Sequence, residues 1–481
     1  MDISHLLNSL NDAQRQAVSA SLGQQLVLAG AGSGKTRVLV HRIAWLVEVE
    51  KASPWSILSV TFTNKAAYEM RGRIEQMLGI SPQGMWVGTF HGLAHRLLRA
   101  HWREAGLAEQ FQILDSDDQL RLVKRVIREL GLDENQWAPK QAQWWINGQK
   151  DEGLRPQNIQ PAGDLYLTTM VRIYTAYEQA CARAGAVDFA ELLLRSLELW
   201  RDNQTLREQY QARFKHMLVD EFQDTNAVQY AWLRHLAGKS PSLMVVGDDD
   251  QSIYGWRGAR IENIQQFQTD YPNAEMIRLE QNYRSTATIL KAANALIDNN
   301  AGRLGKQLWT DGNDGEPISL YAGFNEQDEA RFIVERIEQA VRDGMSRSEI
   351  AILYRSNAQS RVLEEALLRS GVPYRIYGGQ RFFERAEIKN AMAYLRLIGN
   401  RGDDGALERI INVPTRGIGD KTVEMLRQHA RKQDVSMWQA ACDLLDNKGL
   451  PGRAANAVQA FQVLIEELSE RAEGVPLYSK A

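Results

Sequence analysis

Short apolar runs alternate with amphipathic stretches along the first 280 residues of the chain. Apolar runs of about four to eight residues bounded by turn residues are typical of buried strands, whereas apolar positions three and four apart indicate helices. Strands that alternate with helices favour parallel βαβ units, so this part of the chain is predicted to have an α/β fold. The predicted strands cover residues 25–28, 57–61, 86–89, 217–220, 242–247 and 274–279.

The pattern changes between residues 90 and 214, where long amphipathic helices replace most strand-like runs. We therefore expect residues 1–89 and 215–280 to form one parallel-sheet domain. Residues 90–214 would be a helical insertion that splits this domain.

A second α/β pattern is expected over residues 281–377, and helices dominate again over residues 378–481. These two regions are interpreted as part of a second sheet domain and part of a helical accessory domain. The predicted strands of the second sheet are 318–321, 350–354 and 374–377, and the predicted helices are 326–343 and 359–370.

Charge and cysteine content bear on how the protein could bind nucleic acid and on the compartment in which it is expected. The formal net charge is −3, so any basic groove for nucleic acid has to be local. Cys181 and Cys442 lie far apart and form no disulfide or metal pattern, which fits a reducing cytoplasm. Since no apolar run reaches the roughly 18–20 residues that span a bilayer, we expect a cytoplasmic protein without a membrane partner.

A glycine-rich loop with a following Lys-Thr pair comes directly after the first predicted strand. Glycines let backbone N–H groups turn toward phosphates, and the start of the next helix adds partial positive charge. Lys35 would neutralise the phosphate oxygens and Thr36 would ligate Mg²⁺. The alternative is an ordinary strand–helix turn, and the general pattern has glycine where this chain has Ala29. The candidate phosphate-binding residues are Ala29, Gly30, Ala31, Gly32, Ser33, Gly34, Lys35 and Thr36.

Carboxylates follow a later apolar strand, at Asp220 and Glu221. At the carboxyl edge of a parallel sheet both can turn toward the crevice where ligands bind. Asp220 suits a Mg²⁺ ion, and Glu221 suits the base that deprotonates the attacking water. Alone this pair would more often be a solvated strand end, but together with the glycine-rich loop it predicts a nucleotide hydrolase.

The loop after the next strand combines an amide with two aromatic residues. Gln251 is placed to hydrogen-bond a γ-phosphate or its water, while Tyr254 and Trp256 are candidate platforms for stacked bases. The alternative is that both rings belong to the core. A Trp between Gly255 and Arg257 favours an exposed position.

Seven ordered blocks of the chain are residues 10–18, 29–36, 61–67, 88–92, 219–226, 247–258 and 279–285. Together they resemble the superfamily 1 DNA helicases of the UvrD/Rep/PcrA type. The resemblance implies P-loop NTPase (RecA-like) parallel-sheet motor domains with large helical insertions. It also implies ATP and Mg²⁺ as cofactors, and 3′-to-5′ movement on single-stranded DNA and at single-strand/duplex junctions. A role in DNA repair and repair proteins as partners follow only from this resemblance.

The resemblance assigns further nucleotide-binding roles. Gln14 is similar to the adenine-reading glutamine of the family, and Arg37 is similar to a nucleotide-contacting position. Tyr283 resembles a ring that stacks on adenine. Arg284 resembles an arginine finger, for which a planar, permanently charged guanidinium is suited.

The same resemblance predicts the DNA-binding residues. Eight positions match the groove for the single strand, and two glycines match a turn that touches duplex DNA. The groove positions are Phe62, Asn64, Thr89, His91, Tyr254, Trp256, Arg355 and Asn357, and the turn glycines are Gly417 and Gly419.

Two later helicase blocks of the family, one Ser-Ala-Lys-Gly-Leu-Glu-like and one Val-Thr-Arg-Ala-like, do not occur before Ala481. We therefore expect the second motor domain to be incomplete. Two functions remain open at this point. One is an ATP-dependent helicase or translocase, and the other is a truncated chain that binds nucleotide and DNA with little hydrolysis or unwinding.

Overall fold

The computed structural model describes residues 4–238, 242–377, 386–433 and 435–472, with Gln83 described by its backbone alone. The expected start of the last helical region (378–385) and the stretch 473–481 lie outside the described residues. The chain divides into two compact units, Met1–Pro317 and Ile318–Ala481, and each is described by itself. Residues 281–317, which the sequence pattern placed with the second sheet domain, belong to the first unit.

A six-stranded parallel sheet forms the centre of the first unit, in the order β3-β2-β6-β7-β1-β8. All six strands predicted for this region are confirmed, with ends that shift by no more than one residue. A separate parallel pair is formed by β4 and β5. The strands are β1 Gln24–Ala29, β2 Ile57–Thr61, β3 Trp86–Thr89, β4 Gln112–Ile113, β5 Ala186–Val187, β6 His216–Val219, β7 Ser242–Gly247 and β8 Glu275–Leu279.

Helices cover both faces of this sheet. Because side chains alternate along a strand, Leu26 and Leu28 pack on one face while Val27 and Ala29 pack on the other. The helices of the unit are α1 Ser4–Leu7, α2 Asp12–Ser19, α3 Lys35–Glu48, α4 Asn64–Leu78, α5 Phe90–Ala100, α6 Ser116–Glu129, α7 Pro139–Asp151, α8 Leu165–Arg183, α9 Phe189–Asp202, α10 Gln204–Arg213, α11 Ala227–Ala237, α12 Glu262–Asp270 and α13 Ala287–Ile297.

Between β3 and β6 the chain is almost entirely helical, from α5 to α10. A buried charge cluster joins these helices: Lys150 Nζ lies 2.8 Å from Asp188 Oδ2 and 2.9 Å from Glu191 Oε2. Charges without water have to be paired, so this cluster fixes α7 against α9.

The end of α7 is also joined to the loops that follow β6 and β7. Asn226 Nδ2 donates to Asp151 Oδ1 at 2.9 Å, and Glu152 forms an ion pair with Arg260. Burial raises the pKa of the Asp151 carboxyl to about 7, with the charge of Asp188 as the next cause. The helices between β3 and β6 therefore contact the same loop that continues from Asp220 and Glu221.

We expect Asp151→Asn to stabilise the protein at pH 8, because an amide keeps the contact with Asn226 without a buried charge. An unfolded carboxyl titrates near pH 4, so the penalty on wild type grows between about pH 4 and pH 7 and is complete above that range. The free energy of unfolding, measured with urea, should rise by about 1–3 kcal/mol at pH 8 and by almost nothing near pH 4. A difference that does not vary with pH would contradict this account.

The second unit is built from helices in its described residues. Leu397, Leu407, Leu426 and Phe461 belong to its main core. The two helices predicted from the sequence are confirmed as α14 and α15. The helices are α14 Glu326–Arg342, α15 Ser360–Arg369, α16 Ala386–Gly399, α17 Asp404–Ile410, α18 Asp420–Gln433, α19 Met437–Asp446 and α20 Gly452–Ala472.

The strands predicted at 318–321, 350–354 and 374–377 are wrong, because none of these residues belongs to a strand. A strand exists only with a hydrogen-bonded neighbour, and no described segment of the second unit pairs with them. Leu320 and Leu353 are 97% and 93% exposed. Ile350 and Ile352 are partly buried against the small core that α14 and α15 share.

Among the helices that the structure describes, none is long and apolar enough to cross a membrane.

Candidate functional site

The glycine-rich loop joins β1 to α3 at the carboxyl edge of the sheet. Gly32 and Gly34 adopt left-handed backbone conformations, with φ of +69° and +90°. A Cβ at Gly34 would lie 2.9 Å from Gln14 Nε2, so only glycine fits there without displacement. Helix α3 begins at Lys35, and the N–H groups of its first turn lack helical acceptors. The loop therefore has the form of an anion cradle that fits phosphate groups.

The ammonium of Lys35 lies between the ends of three strands. Lys35 Nζ is 3.3 Å from Ala29 O, and it is 3.9 Å from both Glu221 Oε2 and Asp248 Oδ2. The two carboxylates follow β6 and β7. The structure thus brings Lys35 and Glu221 together as predicted, although their role in hydrolysis stays a prediction.

Asp220 and Glu221 differ in their surroundings. Asp220 is buried, and burial raises the pKa of its carboxyl to about 7, followed by the charge of Glu221, while Lys35 and the Thr36 hydroxyl oppose the shift. Glu221 adopts a left-handed conformation with φ of +50°, which is strained for a residue with a Cβ. The buried carboxyl beside a hydroxyl is a donor set that fits Mg²⁺.

Gln223, which the sequence gave no reason to select, joins the two acidic loops. Its Nε2 donates to Glu221 Oε2 at 2.9 Å, and its Oε1 accepts from the Asp248 backbone N–H at 2.9 Å. Gln251 donates to Asp248 Oδ2. This hydrogen bond holds the amide that is predicted to contact the γ-phosphate beside Asp248, on the acidic loop after β7. The side chains of three loops therefore meet around Lys35.

Gln14 lies behind the phosphate loop and is 1% exposed. Its Nε2 donates to Ser33 O at 2.8 Å, and its Oε1 accepts from the Asn11 backbone N–H at 3.1 Å in a capping box. The structure shows this amide supporting the loop. Its role as the reader of adenine stays a prediction.

Asn282 is a second residue that the sequence did not select. Its Nδ2 donates to Ala31 O at 2.6 Å, and its Oδ1 accepts from the Arg284 backbone N–H at 2.8 Å. The Tyr283 backbone N–H donates to Gly32 O at 3.0 Å. This segment therefore lies directly against the phosphate loop. The side chains of Tyr283 and Arg284 are exposed beside it, as is that of Arg37, and their roles stay predictions.

An aromatic surface follows β2 and β7 at the same edge of the sheet. The rings of Phe62 and Tyr254 stack with centroids 5.1 Å apart, and Trp256 lies 6.4 Å from Tyr254. Arg257 covers the Trp256 ring at 4.5 Å, yet Trp256 remains 74% exposed. A large exposed indole next to a cation can stack on a nucleic-acid base.

Three polar positions of the predicted groove lie near the ends of β2 and β3. Thr89 Oγ1 donates to Asn64 Oδ1 at 3.4 Å and also caps α5 by accepting from the Gly92 backbone N–H. Burial lowers the pKa of His91 to about 4, so its imidazole is neutral at pH 7. If His91 contacts DNA, it does so as an uncharged ring, which sequence alone did not indicate.

The other predicted DNA contacts belong to the second unit. Arg355 and Asn357 are exposed at the turn before α15, where Gln359 Oε1 accepts from the Arg355 backbone N–H at 3.0 Å. Gly417, with φ of +78°, and Gly419 are exposed just before α18. Their contacts with DNA stay predictions.

Comparison with known proteins identifies two family models. The model of the UvrD/REP helicase N-terminal domain matches residues 10–272, and that of the UvrD-like helicase C-terminal domain matches residues 277–473. The second match shows this domain to be present, and it does not show the domain to be incomplete.

Curated relatives cover nearly the whole chain. DNA helicase II of Escherichia coli is 64% identical over 99% of this chain and 66% of its own length. DNA helicase II of Haemophilus influenzae is 57% identical over 100% of this chain and 66% of its own length. ATP-dependent DNA helicase PcrA of Bacillus subtilis is 44% identical over 96% of this chain and 63% of its own length. The chain thus spans slightly less than two thirds of each of these relatives.

Proposed function

The chain belongs to the UvrD/REP helicase family, and on that premise we propose that it binds and hydrolyses ATP to move along single-stranded DNA. The observation that carries the proposal is the meeting of Lys35, Asp220 and Glu221 at the edge of the sheet that also bears the aromatic surface. A nucleotide site and a base-stacking surface built on the same strand ends can act on each other.

Each residue has a task that its surroundings support. The glycine-rich loop and the start of α3 bind the phosphates, and Lys35 exchanges its distant contacts with Glu221 and Asp248 for phosphate oxygens. Thr36 and Asp220 would hold Mg²⁺, which neutralises phosphate charge when bound. Glu221, released from Lys35, orients and deprotonates the attacking water.

Two further residues complete the proposed chemistry. Gln251 hydrogen-bonds the terminal phosphate or its water, and it changes position when that phosphate is lost. The loop that carries Tyr254 and Trp256 moves with it. Arg284 stabilises the charge that develops during phosphoryl transfer. Only two residues separate Gln251 from Tyr254 in the chain, so a shift of the Gln251 amide moves the stacking surface.

The finer features of the proposal rest on the family resemblance. They are two RecA-like motor domains, movement from 3′ to 5′, strand separation at single-strand/duplex junctions, action in DNA repair with repair proteins as partners, and a location in the cytoplasm.

We expect Lys35→Ala to lower ATP hydrolysis by about 100-fold or more, because a donor aimed at the phosphates is lost. The measurement is DNA-stimulated hydrolysis with Mg²⁺, by this chain and by a form that extends over the full length of its relatives. The matched control is Lys291→Ala, whose side chain is 79% exposed and far from the loop in sequence. Unchanged hydrolysis in Lys35→Ala would disprove the proposed mechanism. If the wild-type chain binds nucleotide and DNA but does not hydrolyse ATP, the second function is supported instead, a chain that binds both ligands with little hydrolysis or unwinding.

We expect Trp256→Ala to weaken binding of a labelled oligothymidylate by about 5- to 150-fold, because stacking contributes about 1–3 kcal/mol per base. Fluorescence anisotropy at one fixed salt concentration measures this affinity. Trp55→Ala is the control, since Trp55 is 56% exposed and precedes β2 at the opposite edge of the sheet. Equal losses in the two variants would show that Trp256 has no specific part in DNA binding.

A further inference from the structure

A short segment after α13, residues 303–309, runs beside the acidic loop that follows β7, and we call it the strap. Arg303 makes two hydrogen bonds to the Asp250 carboxylate, at 2.7 and 2.9 Å. The Leu304 backbone N–H donates to Asp249 Oδ2 at 2.9 Å. Arg303 and Leu304 of the strap therefore bind two consecutive carboxylates, those of Asp249 and Asp250.

Lys306, in the middle of the strap, reaches all three carboxylates of the acidic loop. Its Nζ lies 2.6 Å from Asp248 Oδ1, 2.6 Å from Asp249 Oδ1 and 2.7 Å from Asp250 Oδ2. The side chain is 2% exposed, and these charges raise its pKa above the ordinary value despite burial. The ammonium thus occupies the centre of a carboxylate cluster that would otherwise attract another cation.

Asp248 is shared between two lysines. Its Oδ1 contacts Lys306 at 2.6 Å, while its Oδ2 accepts from Gln251 and lies 3.9 Å from Lys35. The shorter contact is much stronger, since Coulomb attraction falls with distance and hydrogen bonding adds to it at short range. Without Lys306, the nearest cation to the buried Asp248 carboxylate among the described residues would be Lys35.

The other end of the strap is fixed independently of these charges. The Asn282 backbone N–H donates to Trp309 O at 2.7 Å, and Asn294 Nδ2 donates to Leu308 O at 2.9 Å. The position of Lys306 is therefore set on its C-terminal side by hydrogen bonds that involve no carboxylate. It does not depend on the carboxylates alone.

We propose that Lys306 is a positioning residue for nucleotide binding, which holds Asp248 away from Lys35 and so leaves Lys35 available to phosphate. This inference rests on the proposed function, because it assumes that the glycine-rich loop binds Mg-ATP. Lys306 itself does not touch the nucleotide. It acts through the carboxylate of Asp248.

Equilibrium titration with a fluorescent Mg-ATP analogue tests the proposal on the whole chain, without requiring turnover. Lys306→Met should weaken binding by about 10- to 100-fold, because Lys35 would then pair with Asp248. The double variant Asp248→Asn with Lys306→Met should recover most of the affinity, because the charge of residue 248 no longer competes for Lys35. Lys291→Met is the control that should bind as wild type does, since the Lys291 side chain is 79% exposed and pairs with Asp314.

The outcomes separate the inference from the function on which it rests. Wild-type affinity in Lys306→Met, or further loss in the double variant, would overturn the proposal and leave ATP binding intact. Failure of wild type itself to bind Mg-ATP would overturn the proposed function. If Lys306→Met does not fold, as judged by thermal unfolding, Lys306→Gln takes its place, because it removes the charge and keeps a hydrogen-bond donor. Weaker binding that Asp248→Asn then restores supports the competition, and wild-type affinity overturns it.

Discussion

The ammonium of Lys35 is the interaction on which the rest of the site depends. In a parallel sheet, the carboxyl ends of β1, β6 and β7 meet at one edge, and here that edge carries several acids, of which Asp220 and Asp248 are buried. Lys35 lies 3.9 Å from two of them, close enough to offset their charge but too far for a strong hydrogen bond. A cation held in this way can exchange its partners for phosphate oxygens with little loss.

The same edge explains how the proposed nucleotide and DNA sites are joined. The loop after β7 carries Asp248 and Gln251 near the phosphate cradle, and Tyr254 and Trp256 only a few residues later. Gln223 fixes the start of this loop through the Asp248 backbone N–H, and the strap neutralises its carboxylates. Beyond them, Trp256 remains exposed, while Tyr254 is half-buried against Phe62. The loop after β7 is therefore held in place at Asp248 and presents an exposed ring at Trp256.

Sequence predicts the parts of this arrangement that depend on local pattern. The strands of the first sheet, the phosphate loop and the acids at Asp220 and Glu221 follow from apolar runs and from residue types at strand ends. Asn282 and Lys306 could not be found in this way, because their partners lie at Ala31 and in the acidic loop, far away along the chain. The strands predicted in the second unit failed for a related reason, since a strand is defined by a neighbour that its own residues do not specify.

The central claim is that one edge of the sheet couples ATP chemistry to single-stranded DNA. Single-turnover hydrolysis of Mg-ATP by the wild-type chain, with and without an oligonucleotide that covers the aromatic surface, tests it most directly. The account predicts a first-order rate that rises clearly when DNA is bound, because stacking on Tyr254 and Trp256 repositions Gln251. Hydrolysis at the same rate with saturating DNA and without it would contradict the account.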